Sequence, residues 1–90
     1  MPPSLESLRE IKFAVLRIIP HLCEAEGDEF QNYLDEYNVL LDRFYQDNKN
    51  MMAPEQYSDA KTDGEYFVRL VDLAIAYYYD DAETSRQIQD

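Results

Sequence analysis

The stretch from Glu65 to Asp81, EYFVRLVDLAIAYYYDD, sets the tightest limit on how this chain folds. It is the most apolar part of the sequence, and its apolar positions recur with the period of an α-helix. Phe67, Leu70, Val71, Ala74, Tyr77 and Tyr78 fall at steps of three and four, the stripe of a helix that buries one side. Glu65, Arg69, Asp72, Ala76 and Asp80 form the opposite stripe, polar except for Ala76. Val68, Leu73 and Ile75 widen the apolar side well beyond a narrow seam. The spacing therefore predicts a helix over 63–86 that touches two neighbours, with Thr62 or Asp63 as its cap.

The rest of the chain supplies helices to cover it. Leu5, Leu8, Ile11, Val15, Ile18 and Leu22 recur at helical steps and predict a helix over 4–25. Ser4 or Ser7 is its cap, and Ser7 with Glu10 has capping-box spacing. Pro20 lacks a backbone donor and is expected to end this helix near Ile19 or kink it there. Gly27 is a natural stop, and Asp28 reads as the N-cap of a second helix over 28–47. Phe30, Tyr33, Leu34, Tyr37, Leu40, Leu41 and Phe44 are its apolar stripe, and Gln31, Asp35, Asn38 and Asp42 its wet face. Between the second and last helices, Pro54 suits the first position of a short helix over 54–61. Residues 1–3 and 87–90 read as frayed ends. Two glycines and few turn signals argue against an all-β fold. The expected fold is all-α: one domain over 1–90, an antiparallel bundle of three long helices, or four if the short one counts.

The formal net charge is −11, and it is uneven. Residues 1–22 are nearly neutral, whereas residues 23–60 carry ten acids against Arg43 and Lys49. Such a chain repels phosphate backbones and anionic membrane surfaces, so no direct nucleic-acid or membrane partner is expected. A basic protein is attracted instead, at a rate that falls with salt. Cys23 is the only cysteine, so no internal disulfide forms. No signal peptide or membrane span is read, and the cytoplasm is the expected location.

Catalytic and metal patterns are weak. His21 and Cys23 are two residues apart and point about 200° apart on a helix, so they make no nucleophile–base pair. Together they lack two ligands for structural zinc. Asp59 to Gly64, DAKTDG, matches the start of a calcium loop, but Lys61 stands at a ligand position and Leu70 where the bidentate Glu belongs. There is no Gly-rich phosphate loop and no Glu-x-x-His pair. No cofactor, metal or enzymatic activity is expected.

Tyrosine is what remains: eight in ninety residues. Tyr77, Tyr78 and Tyr79 are consecutive, and each is turned about 100° from the last. Tyr77 and Tyr78 are expected on the buried side and Tyr79 toward the acidic stripe. Tyr33 and Tyr37 flank Asp35 and Glu36. Tyrosine ringed by carboxylate suits a basic protein partner. The expected contact surface is Tyr33, Asp35, Glu36, Tyr37, Tyr77, Tyr78, Tyr79, Asp80 and Asp81. In charge and size the chain is analogous to antitoxins, immunity proteins and inhibitors that mask a basic surface, an analogy that transfers no residue. The alternative is a homodimeric structural subunit. Phe13 stands among Arg9, Arg17, Glu6 and Glu10 on the polar side of the first helix, and a two-fold dimer through Phe13, Arg9 and Arg17 would cover it.

Overall fold

The computed structural model describes residues 3–79, which form four helices and no strand: α1 (Leu5–Glu24), α2 (Gly27–Asp47), α3 (Pro54–Thr62) and α4 (Gly64–Tyr79). Each end has a local cause. Ser4 is extended, and its hydroxyl accepts the Ser7 N–H at 3.0 Å, so Ser4 and not Ser7 caps α1. Ser7 is drawn elsewhere: its hydroxyl accepts from Arg43 of α2. Pro20 does not end α1, which continues to Glu24. The proline leaves the Leu16 carbonyl without its helical donor, and Leu16 and Pro20 are both exposed, so the missing bond lies on the solvent side of α1.

Ala25 and Glu26 alone separate α1 from α2. Gly27 opens α2 with φ +60°, a left-handed conformation that favours glycine. Asp28 thus lies in the first turn, where its charge suits the helix dipole, and is not the cap. Pro54 begins α3, and the Gln56 side chain accepts the Ala53 N–H at 2.8 Å. Asp63 is the one residue between α3 and α4, and its carboxylate caps α4 by accepting the Tyr66 N–H at 3.0 Å. The sequence resembling a calcium loop is spent on the end of α3 and the start of α4.

Neighbouring helices run antiparallel around a ring in the order α1, α2, α3, α4. Arg43 of α2 meets Ser7 and Glu10 near the start of α1, while Tyr33 stacks on His21 near its end. Tyr57 of α3 packs on Tyr45 and donates to Asp42, while Tyr37 reaches Ala60. Tyr79 of α4 donates to the Pro3 carbonyl, Lys12 pairs with Asp72, and Gly64 abuts Ile19. The bundle is therefore four-cornered. The short helix supplies a full corner, because α2 and α4 run parallel and the chain must cross back between them. Phe67 lies at the centre, with Tyr37 and Phe44 rings both 5.6 Å from it. Leu8, Ile11, Val15, Ile18, Leu41, Val71 and Ile75 close around it.

Two residues occupy places their helical stripes do not predict, and a third is buried as its stripe predicts but against its assignment to a contact surface. Asp72, assigned to the wet stripe, is only 8 % exposed; Lys12 Nζ lies 2.8 Å from its Oδ1, an ion pair whose angle falls outside hydrogen-bond geometry. The α1–α4 contact is wide enough to enclose both. Tyr77, assigned to the buried side, is 70 % exposed. It shares a face of α4 with Leu70 and Leu73, the face α3 packs on. At nine residues α3 spans about 14 Å against about 24 Å for α4, and stops short of Tyr77. Tyr37, assigned to a contact surface, is 2 % exposed and belongs to the core.

Candidate functional site

The outer face of α2 carries a row of exposed carboxylates. Asp28, Asp35 and Asp42 are seven residues apart, so they align along one edge of the helix at intervals of about 10 Å. All three are exposed, and among the described residues none of them forms an ion pair. Asp35 accepts from Gln31 Nε2 at 2.8 Å, and Asp42 accepts from the Tyr57 hydroxyl. That hydrogen bond to Asp42 is the main reason the Tyr57 phenol is held above its usual range; slight burial and the same carboxylate's charge act in the same direction. Val39 stands among these acids, 66 % exposed.

Arg17 and Arg43 lie on the other edge of α2, along the seam with α1. Arg17 meets Glu36 at 3.3 Å, and Arg43 lies 4.0 Å from Glu10. Both pairs are solvated, so they add little stability, but they draw the two guanidinium groups away from the acidic ridge. The face left over has negative charge and one apolar side chain; at its Asp42 end Lys61 of α3 lies over the Tyr57 ring, 4.8 Å from its centroid.

The sequence-predicted surface comes apart in three dimensions. Asp35 and Glu36 are exposed on α2, though Glu36 is occupied by Arg17. Tyr33 is half-buried, its ring parallel to His21 at 4.4 Å. Tyr37 offers no free surface: its hydroxyl donates to the Ala60 carbonyl, one of the last in α3 and without a helical donor. Burial, helped by the charge of Asp63, pushes the Tyr37 phenol up to about 12. Tyr77, Tyr78 and Tyr79 pack edge to face at the far end of α4. Antiparallel pairing places them near the start of α1, whereas Tyr33 lies near its end, about 20 Å away along the axis. They do not form one patch with Tyr33 and Asp35. Asp80 and Asp81 lie outside the described residues.

Asp28, Asp42 and Val39 were missed in the sequence, although the heptad spacing of the three aspartates is legible there. The tyrosines drew attention by number, yet most of them serve the bundle itself. Phe13 is where the sequence puts it, 61 % exposed on the outer face of α1 with Arg9 and Arg17. Among the described residues no cluster of His, Cys, Asp and Glu is arranged to hold a metal, and no helix is long and apolar enough to cross a membrane. Compared with known proteins, the chain matches no protein-family model, no curated protein and no solved structure.

Proposed function

We propose that this chain is a small acidic binding module of the cytoplasm that docks on a basic protein through the outer face of α2, masking the partner's surface and not catalysing a reaction. The observation that carries the reading is the ridge of Asp28, Asp35 and Asp42, exposed and, among the described residues, free of ion pairs around Val39. Carboxylates spaced by two helical turns steer and register a partner bearing cations at matching intervals. Val39 gives the contact an apolar centre that excludes water. A net charge of −11 adds long-range attraction.

The test is affinity capture at low salt followed by kinetics on the protein identified. The expected partner is basic, and its association rate falls steeply with ionic strength. Asp28→Lys/Asp35→Lys/Asp42→Lys should slow association at least tenfold. Glu55→Lys/Asp59→Lys/Glu65→Lys, with the same net charge, should retain most of it. Equal loss in both triple variants would reduce the effect to overall charge and remove the ridge as a site.

A second reading is favoured by Phe13. Its exposed ring and the neighbouring exposed Leu16 lie on the near-neutral α1, the face on which a second copy meets least repulsion. A dimer in light scattering that persists at high salt and is broken by Phe13→Glu would support it; a monomer at both salts would remove it.

A further inference from the structure

The charges along α1 invert about its middle. The helix has no net charge, with Glu6, Glu10 and Glu24 against Arg9, Lys12 and Arg17, so the −11 of the chain is carried elsewhere. Phe13 stands on its outer face, 61 % exposed. Glu10 and Arg17 flank that ring on the side of α2, because Glu10 lies 4.0 Å from Arg43 and Arg17 lies 3.3 Å from Glu36. Along the axis Glu10 is about 4.5 Å before Phe13 and Arg17 about 6 Å after it. On this side the order is Arg43, Glu10, Arg17, Glu36, with signs plus, minus, plus, minus. Leu16, also exposed, shares the other side of the helix with Lys12 and Ile19, which pack toward α4.

We infer that the outer face of α1 receives the same face of a second copy in antiparallel register, with Phe13 on the two-fold axis and Glu10 of each copy against Arg17 of the other. The assignment deepens the dimer reading above and rests on it. A row whose signs invert when it is read backwards is complementary to its own reverse. A two-fold axis perpendicular to α1 reverses the helix and keeps the α2 side of one copy against the α2 side of the other. Each existing pair is thereby extended into a row of alternating sign: Glu36 and Arg17 of one copy, then Glu10 and Arg43 of the next. A parallel pairing sets Glu10 on Glu10 and Arg17 on Arg17 and is repelled. Exposed pairs contribute little affinity, so the charges select direction and register. Affinity comes from the two Phe13 rings, which meet on the axis, and from Leu16, which the hydrocarbon stem of Arg9 from the other copy covers. Asp28, Asp35 and Asp42 lie on the far edge of α2 and stay clear of the contact.

Cys23 supplies the test, being exposed and the only cysteine, so that one nitroxide label enters the otherwise unaltered chain. It lies ten residues beyond Phe13, about 15 Å along the axis, so the antiparallel pair holds the two labels about 30 Å apart or slightly more. A parallel pair sets them side by side, at about 10 Å. Light scattering over a concentration series should show a weak dimer, and dipolar electron paramagnetic resonance should give the longer distance. Glu10→Arg alone and Arg17→Glu alone each set like charge on like and should weaken the dimer at least tenfold while circular dichroism stays helical. An equimolar mixture of the two variants should restore it, because in that heterodimer both contacts again join opposite charges. A monomer at every concentration would overturn the inference together with the dimer reading. A dimer with the shorter label distance, or single variants as tight as the parent, would overturn the antiparallel register alone and leave the dimer reading standing.

Discussion

Gly64 marks the closest approach of α4 to α1, and replacing it should give an effect whose sign depends on one other residue. A Cβ at position 64 would lie 2.8 Å from Ile19 Cγ1 and 2.9 Å from Cδ1, well inside van der Waals contact. Ile19 cannot swing aside, because a β-branched side chain in a helix has essentially one χ1 rotamer. The helices must therefore separate by a few tenths of an ångström, an overpacking that costs about 1–3 kcal/mol. Against this, alanine in place of glycine restricts the unfolded chain and gains about 0.5–1 kcal/mol. Gly64→Ala alone should thus destabilise by about 1 kcal/mol, a fall in Tm of about 4–8 °C for a domain of this size. Ile19→Ala removes both clashing atoms. In that background only the unfolded-chain gain remains, so Gly64→Ala should stabilise by about 0.5 kcal/mol. The double-mutant cycle then closes with a coupling of about 1.5 kcal/mol, measured by urea denaturation followed at 222 nm. If Gly64→Ala has the same effect in both backgrounds, the close packing described here is wrong.

Two further outcomes follow from buried groups. The Tyr37 phenol, raised to about 12, keeps its proton in the native state after the unfolded chain has lost it near 10. Its contribution is complete below pH 10 and is lost as pH rises through 12, at up to about 1.4 kcal/mol per pH unit; that slope should be missing from the stability–pH curve of Tyr37→Phe. Lys12→Met leaves Asp72 enclosed without its ammonium and should cost about 3 kcal/mol in chemical denaturation, whereas Lys12→Met/Asp72→Leu should recover most of the loss; an equal cost in single and double variants would count against the ion pair.

Helix identity was legible in the sequence wherever a long apolar period ran unbroken, as from Leu5 to Leu22 and from Phe30 to Phe44. What was not legible followed from which helix each side meets. Tyr77 fits the buried stripe of α4 as well as Phe67 does, yet it is exposed because the helix beside it is short, a property of residues twenty positions away. Asp72 reads as solvated until Lys12 of another helix is placed against it. Tyr37 and Tyr33 look alike in sequence; a free carbonyl at the end of α3 takes one hydroxyl inward, while His21 holds the other ring at the rim. The acidic ridge, by contrast, depends only on the period of α2, so its alignment was present in the spacing of three aspartates.

The pairing of α1 with α4 has a consequence for how the protein is made. On a ribosome α1 emerges before α4, with roughly 55 residues between their ends. At about 5–20 residues per second, the side of α1 that packs on α4 waits several seconds for its partner. During that interval α1 and α2 can form a hairpin joined by two residues, but Lys12 has no Asp72 and Ile19 has no Gly64. A nascent chain stalled before α4 would hold an apolar stripe open to chaperones and proteases, so translation speed through residues 48–63 becomes a determinant of yield.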